Sequence, residues 1–131
     1  MKYKVVKETK PTLPTFGKYK AVASHQQTVE TKQLLKEVCK NSPFSEGTVE
    51  AVVWKLGQVI NHHLRKGDKV RLSDFGLLKL EIESDKISSP SQFKAKKHIR
   101  GVRLHFLPES DNGKPGLYQN IKFEKEKVEI G

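Results

Sequence analysis

The longest regular pattern of apolar residues lies between Ser45 and Gly67. An apolar residue recurs there every three or four positions, which is the spacing of one face of a helix. The positions of this stripe are Val49, Val52, Val53, Leu56, Ile60 and Leu64. Ser45 is suited to cap the amino terminus of a helix, and Gly67 is suited to the left-handed residue that follows one. The pattern therefore predicts a long helix between these two residues.

Trp54 belongs to the same predicted helix but lies outside the stripe, about 140° around the axis from Val49 at ~100° per residue. A second apolar patch on one helix needs a second surface to cover it. A second subunit or the amino-terminal segment could supply that surface. Because one small chain cannot easily cover both faces, we expect a homodimer.

A shorter helix is predicted before the long one, from about Thr31 to Lys40, because Leu34, Leu35 and Val38 fall at helical spacing. After the long helix the pattern changes to the alternation of a strand. A short strand is predicted at 69–72, and a second strand begins at Phe75. Its apolar positions on one face are Leu78, Leu80 and Ile82.

A long returning strand is predicted from Phe93 to Leu107, so that the two strands form a ribbon. Near its end, the residues expected to face the core are Val102, Leu104 and Phe106. The parity of the apolar positions changes near Gly101, as a β-bulge would produce. We expect the base of the ribbon to pack on the helices and its outer half to project into water. Phe75 is expected in the core, and Gly76 at a tight backbone position.

The remaining segments flank this core. Residues 1–27 resemble a strand, a loop marked by Pro11, Pro14 and Gly17, and a second strand. Residues 108–131 begin as a loop, and their last part favours an edge strand over a helix, which could pair with the amino-terminal strands. The alternating apolar pairs there are Ile121 with Phe123 and Val128 with Ile130. We interpret residues 1–131 as a single α+β domain with its core and arm at 28–107.

The charge of the chain is +10, which favours a polyanionic partner such as nucleic acid or an acidic membrane surface. Six of the basic residues lie between Lys86 and His105, where there is no acidic residue, and the other 19 nearly balance the 15 acidic ones. The six are Lys86, Lys94, Lys96, Lys97, Arg100 and Arg103. Along an extended ribbon they could meet successive phosphates. Alternatively, they guard an exposed edge strand against aggregation.

Pro90 lies near the predicted tip of the ribbon, where it shapes a turn or acts as a wedge between base pairs. Few other residues suggest chemistry. Cys39 is the single cysteine, no histidine has metal-ligand spacing, and no glycine-rich loop for nucleotides is present. We therefore expect no enzyme activity, cofactor, metal or small-molecule substrate. Without an apolar run of ~18 residues, we expect no membrane contact and a cytoplasmic location.

Residues 28–107 resemble the HU and integration host factor family of bacterial histone-like proteins. The resemblance lies in the order and spacing of three stretches, TKQLLKEVCK, FSEGTVEAVVWKLGQVINHHLRKGDKVRL and SDFGLLKLEI. It covers about 80 of the 131 residues. It implies an intertwined dimer whose two helices form a shared base and whose β-ribbon arms reach around DNA, with a proline near each tip. Pro90 lies close to the place of that proline, and Lys86, Lys94 and Lys97 lie near basic arm positions.

The chain departs from the family at the tip, which reads SSPSQF, and at Glu83, where a basic residue would be typical. The added terminal segments resemble a longer, divergent branch of HU-like proteins. The sequence thus predicts a nucleoid-associated protein that binds double-stranded DNA with little sequence preference and bends or compacts it. The alternative is a protein-interaction module on an HU-like scaffold with a degenerate arm.

Overall fold

The fold was obtained as a computed structural model, which describes residues 1–111 and 113–126. It is a mixed α+β architecture with two compact units. The first contains Met1–Leu34 and residues 118–126, and the second contains Leu35–Leu117. The elements are β1 (Lys2–Lys7), β2 (Tyr19–Ala23), α1 (Thr31–Cys39), α2 (Glu46–Arg65), β3 (Val70–Leu72), β4 (Gly76–Ser84), α3 (Ala95–His98), β5 (Ile99–Pro108), β6 (Ser110–Asp111), β7 (Lys114–Pro115) and β8 (Glu124–Lys125). Short 3₁₀ turns occur at Pro90–Gln92 and Gly116–Tyr118.

The first unit contains a three-stranded sheet in the order β2-β1-β8. β1 and β2 are antiparallel, with Tyr3 opposite Ala23, and β8 runs parallel to β1. The expected strand–loop–strand at the amino terminus is confirmed, as is the pairing of the carboxy-terminal segment with it. Val128 and Ile130 lie outside the described residues.

Both predicted helices are present, and the ends of α2 show why it begins and stops where it does. The Ser45 hydroxyl accepts a hydrogen bond from the Thr48 backbone N–H at 3.2 Å, which satisfies one free donor of the first turn. Gly67 has a φ of +98°, a conformation that glycine adopts without steric cost. α2 packs against β3 and β4.

The arm is the ribbon of β4 and β5 in the sheet β3-β4-β5, where β4 is the central strand and β5 an edge strand. Leu78 pairs with Phe106 and Leu80 with Leu104, so the predicted alternation is confirmed. The register shifts between Glu83 and Ser84, which confirms the predicted bulge beside Gly101. The returning strand was predicted to start at Phe93, and this is wrong, because β5 begins at Ile99.

The single chain has a small core. Among the described residues, the buried apolar side chains are Leu35 and Leu64. Phe75 was expected in the core but is 58% exposed, although its ring contacts that of Phe106 with centroids 4.9 Å apart. Val102 and Leu104 were also expected to face the core, and both are exposed. The apolar face of the arm therefore lies mostly open in one chain.

Gly76, at the base of the arm, sits where no side chain fits. A Cβ added there would lie 2.5 Å from the Leu107 carbonyl oxygen and 2.5 Å from a ring carbon of Phe106. We expect Gly76→Ala to destabilise the fold by roughly 1–3 kcal/mol, as overpacking does, with a lower Tm in thermal unfolding. Gly47→Ala is the control, since nothing lies within 4 Å of a Cβ in the first turn of α2 and alanine favours helix. An equal Tm in both variants would contradict the tight packing at Gly76.

Candidate nucleic-acid interface

The outer end of the arm is a folded loop rather than a simple hairpin turn. The ladder of β4 and β5 ends with Ser84 opposite Ile99. One further backbone bond, from the Asp85 N–H to the His98 carbonyl at 2.8 Å, closes the loop at its neck. We call residues 86–97, which lie beyond this bond, the tip loop. Five of the seven residues predicted to contact DNA lie in the tip loop, and these are four lysines and Pro90.

Local hydrogen bonds explain why the tip loop does not continue the strand. The Lys94 carbonyl accepts the backbone N–H groups of Lys97 at 3.1 Å and His98 at 2.8 Å, which forms the single turn α3. In return, the Lys94 N–H donates to Nδ1 of His98 at 2.9 Å. These bonds satisfy backbone N–H and carbonyl groups that would otherwise need partners on a neighbouring strand. The alternation of Phe93, Ala95 and Ile99 resembled a strand, but these contacts favour a helical turn.

Pro90 is the first residue of the 3₁₀ turn in the tip loop. A proline suits that position, because its φ is already close to helical and its missing N–H would have no partner there. Its carbonyl accepts the Phe93 N–H at 3.2 Å. Of its two predicted roles, shaping a turn is therefore seen in the structure, and the wedge stays a prediction.

The lysines of the tip loop are exposed and make no ion pair in the described part of the chain. They are Lys86, Lys94, Lys96 and Lys97. Their ammonium groups are held in one small folded loop, so the loop presents concentrated positive charge to solvent. A surface of this kind attracts phosphate.

The two arginines differ from the lysines, because each is paired with an acid that the sequence window excluded. The Arg100 guanidinium bonds to the Asp85 carboxylate, which raises the already high pKa of Arg100. Arg103 lies opposite Glu81 in the ladder, and their side chains approach to 3.4 Å. The basic window itself contains no acidic residue, but Glu81 on β4 and Asp85 just after it lie beside the two arginines.

Glu81 is the centre of a larger ion-pair cluster on β4 and β5. Its carboxylate lies 2.9 Å from His105 Nδ1 and 3.7 Å from Lys79 Nζ, in addition to the Arg103 contact. Loss of hydration raises the pKa of Glu81, but the charge of His105, the hydrogen bond from Arg103 and the charge of Lys79 outweigh it. The pKa of Glu81 is therefore lowered, and the carboxylate stays ionised at neutral pH. The contribution of these ion pairs to stability is present there and is lost as the pH falls below 4.5 through the lowered pKa.

Removal of the Glu81 charge tests whether this cluster restrains the arm. We expect Glu81→Gln to raise DNA affinity, by about fivefold at ~0.15 M salt for each freed cation that meets a phosphate. Glu83→Gln is the control, since it removes the same charge two residues along β4, where no ion pair is seen in the described part of the chain. Fluorescence anisotropy with a short duplex measures both. Equal gains in the two variants would mean that net charge alone is responsible.

Sequence reasoning missed Glu81, Asp85 and His98. Glu81 and Asp85 lie outside the basic window but close to it in space. The predicted hairpin could have placed Glu81 across from Arg103. The alternation that puts Leu80 and Leu104 on the apolar face leaves both charged residues on the opposite face. The role of His98 as an acceptor for the Lys94 N–H has no sequence signal of that kind.

Within residues 1–111 and 113–126, no three histidine, cysteine or carboxylate side chains are close enough to bind a metal ion together. No helix in the same residues has the length and apolar character needed to cross a membrane.

The sequence profile of the HU-HIG family, described as an HU domain fused to a winged helix-turn-helix, Ig or glycine-rich motif, matches residues 1–125. The chain belongs to this family. The predicted resemblance to HU proteins is thereby confirmed for the HU-HIG chain, and the match includes the added amino-terminal strands. No curated protein sequence matches it significantly.

The fold of the HU-HIG chain is also similar to a solved structure. This is the crystal structure of a proposed bacterial DNA-binding protein from Bacteroides vulgatus, with a TM-score of 0.61 and 10% sequence identity. The match covers 96% of the HU-HIG chain and 49% of the other chain. The HU-HIG chain thus spans about half the length of that protein, and the likeness concerns the fold.

Proposed function

We propose that this chain binds double-stranded DNA through the lysines of the tip loop, with little dependence on base sequence. The observation that carries the proposal is a set of four exposed lysines that make no ion pair within residues 1–111 and 113–126, while both arginines of the arm are paired with acids. Lysine is a point charge suited to phosphate, and phosphate contacts carry no base information. Membership of an HU-type family and the resemblance of the fold to a proposed DNA-binding protein support the same function.

The active form in this proposal is a homodimer with two arms. Support comes from α2, where Val52, Val53, Trp54, Leu56 and Val59 are all exposed in the single chain. Apolar surface of this extent on one helix is typical of an interface. In the dimer, α1 and α2 form a shared base, as in HU proteins. Two arms on one duplex would favour bending or compaction, and the protein would act on the nucleoid without a cofactor or a catalytic step.

The test of DNA binding is fluorescence anisotropy with a short labelled duplex at several salt concentrations. We expect tight binding at low salt. The logarithm of the affinity should then fall with the logarithm of salt concentration. The slope is about −1.8 for each arm if two of its lysines contact phosphate and about −3.5 if all four do, since each contact contributes ~0.9. No binding at low salt, despite the +10 charge, would refute the proposal.

A second candidate function is protein binding, which the first unit favours. β2 is an edge strand of its sheet, and Tyr19 and Val22 on it are exposed. An open edge can accept a strand from another protein. If the duplex experiment is negative, crosslinking from a residue on β2 in cell extract, compared with a variant carrying Val22→Lys, would test this function.

A further inference from the structure

The tip loop borders a cavity of about 420 Å³ that is open to solvent and lies between the 3₁₀ turn and α3. The lining residues are Ile87, Ser91, Gln92, Lys94, Lys97 and His98. Two of the four unpaired lysines therefore line the cavity, and the other two, Lys86 and Lys96, do not. Pro90 does not line it either.

The polar groups of this lining match an anion. Lys94 and Lys97 supply ammonium groups, and Ser91 and Gln92 add a hydroxyl and an amide that donate hydrogen bonds. His98 accepts the Lys94 N–H at its Nδ1, so the neutral ring carries its proton on Nε2 and is also a donor. No carboxylate lines the cavity, and the nearest acid along the chain, Asp85, is bound by Arg100.

The cavity is larger than a single anion requires, because its volume falls within the roughly 300–1,000 Å³ of small-ligand sites. Ile87 gives the lining one apolar side chain. A phosphate joined to a sugar would use both characters, with the phosphate on the lysines and the sugar against Ile87. A phosphodiester segment of a DNA strand has this chemistry.

We infer that the tip cavity receives a phosphodiester segment of the DNA backbone, through Lys94 and Lys97. This inference rests on the proposed DNA binding and specifies how the tip makes contact. The arm then holds the duplex through a phosphate bound in the cavity. The turn beside it is held by the backbone bond from the Phe93 N–H to the carbonyl of residue 90, which an alanine there would also make. Insertion of Pro90 between base pairs is not needed for binding.

The test compares two double variants with the same loss of charge in the same loop. Lys94→Gln with Lys97→Gln removes the two lysines that line the cavity, and Lys86→Gln with Lys96→Gln removes the two that do not. For each arm that contacts the duplex, we expect the cavity variant to lose roughly thirtyfold in duplex affinity at ~0.15 M salt and to flatten the salt slope by about 1.8, which corresponds to two contacts. We expect the control variant to lose about fivefold or less.

A third variant, Pro90→Ala, separates a seated phosphate from a wedge. With dyes at both duplex ends, energy transfer in the complex reports bending, and we expect it and the affinity to stay within twofold of the wild-type values. Thermal unfolding checks that all three variants fold.

Equal losses in the two lysine variants, with wild-type binding intact, would overturn the cavity as the contact and leave DNA binding standing. A loss of bending in Pro90→Ala would overturn the seated phosphate in favour of the wedge. If the wild-type protein does not bind the duplex at low salt, the proposed function fails, and this inference fails with it.

Discussion

Reversal of two charges on α3, by Lys96→Glu with Lys97→Glu, is expected to lower duplex affinity at least about thirtyfold at ~0.15 M salt. Loss of the Lys97 contact on both arms of the dimer accounts for most of that factor, because each contact is worth about fivefold at this salt concentration. The introduced carboxylates would also repel phosphate, and no acid now lies in the tip loop. Anisotropy titrations at several salt concentrations measure the affinity and its slope.

The control for this experiment is Lys10→Glu with Lys18→Glu, which changes the net charge by the same amount. These lysines lie in the loop between β1 and β2 and make no ion pair in the described residues. If the arm is the contact, the control should lose only the small long-range part of the attraction, which salt screens. Similar losses in the two variants would show that DNA responds to the total charge rather than to the arm.

The second large effect is expected at α2, where Val53→Asp should convert the dimer into a monomer. Val53 belongs to the apolar stripe and is 43% exposed in the single chain. In a symmetric interface its carboxylate would be buried twice, and an unpaired buried charge costs several kcal/mol. At about 1.4 kcal/mol for each factor of ten, the dimer Kd should rise at least a hundredfold.

Sedimentation at micromolar concentration measures this directly, because the subunit mass is 14.9 kDa and the dimer has twice that mass. The control is Gln27→Asp, which places the same charge at an exposed position outside both helices. We expect Gln27→Asp to remain dimeric. A wild-type protein that sediments only as a monomer would rule out the dimer and remove α2 as an interface.

The monomeric variant also connects assembly with DNA binding. With one arm instead of two, a molecule makes half the phosphate contacts, so the salt slope of Val53→Asp should be about half the wild-type slope. Trp54 offers an independent signal, since it is 66% exposed in the single chain. Its emission should shift to longer wavelength in the variant if the partner covers it in the dimer.

Much of the fold could be predicted from the sequence, because short-range signals define it. The cap at Ser45, the apolar period of α2 and the left-handed Gly67 place that helix within a residue. The alternation in β4 and the change of parity near Gly101 predict the ribbon and its bulge. The HU-type family follows from the order of these elements.

The candidate site could be predicted only in part. The basic window contains the four lysines that the structure places exposed in the tip loop, because composition along one segment needs no knowledge of its neighbours. Their contact with DNA stays a prediction. The window also counted Arg100 and Arg103 as free, and the structure pairs them with acids from β4 and the neck of the loop. A prediction made for one segment at a time leaves out the charges that strand pairing brings close to it.

What the sequence by itself determined is therefore the set of elements, their order and the concentration of positive charge near the arm tip. The tertiary structure decided three other matters: the folded tip loop with its cavity, the ion-pair cluster at Glu81, and the exposure of Phe75 and Val102. The physical reason is the same in each case. Periodicity records which side of an element is apolar, whereas contacts between distant residues determine what each side meets.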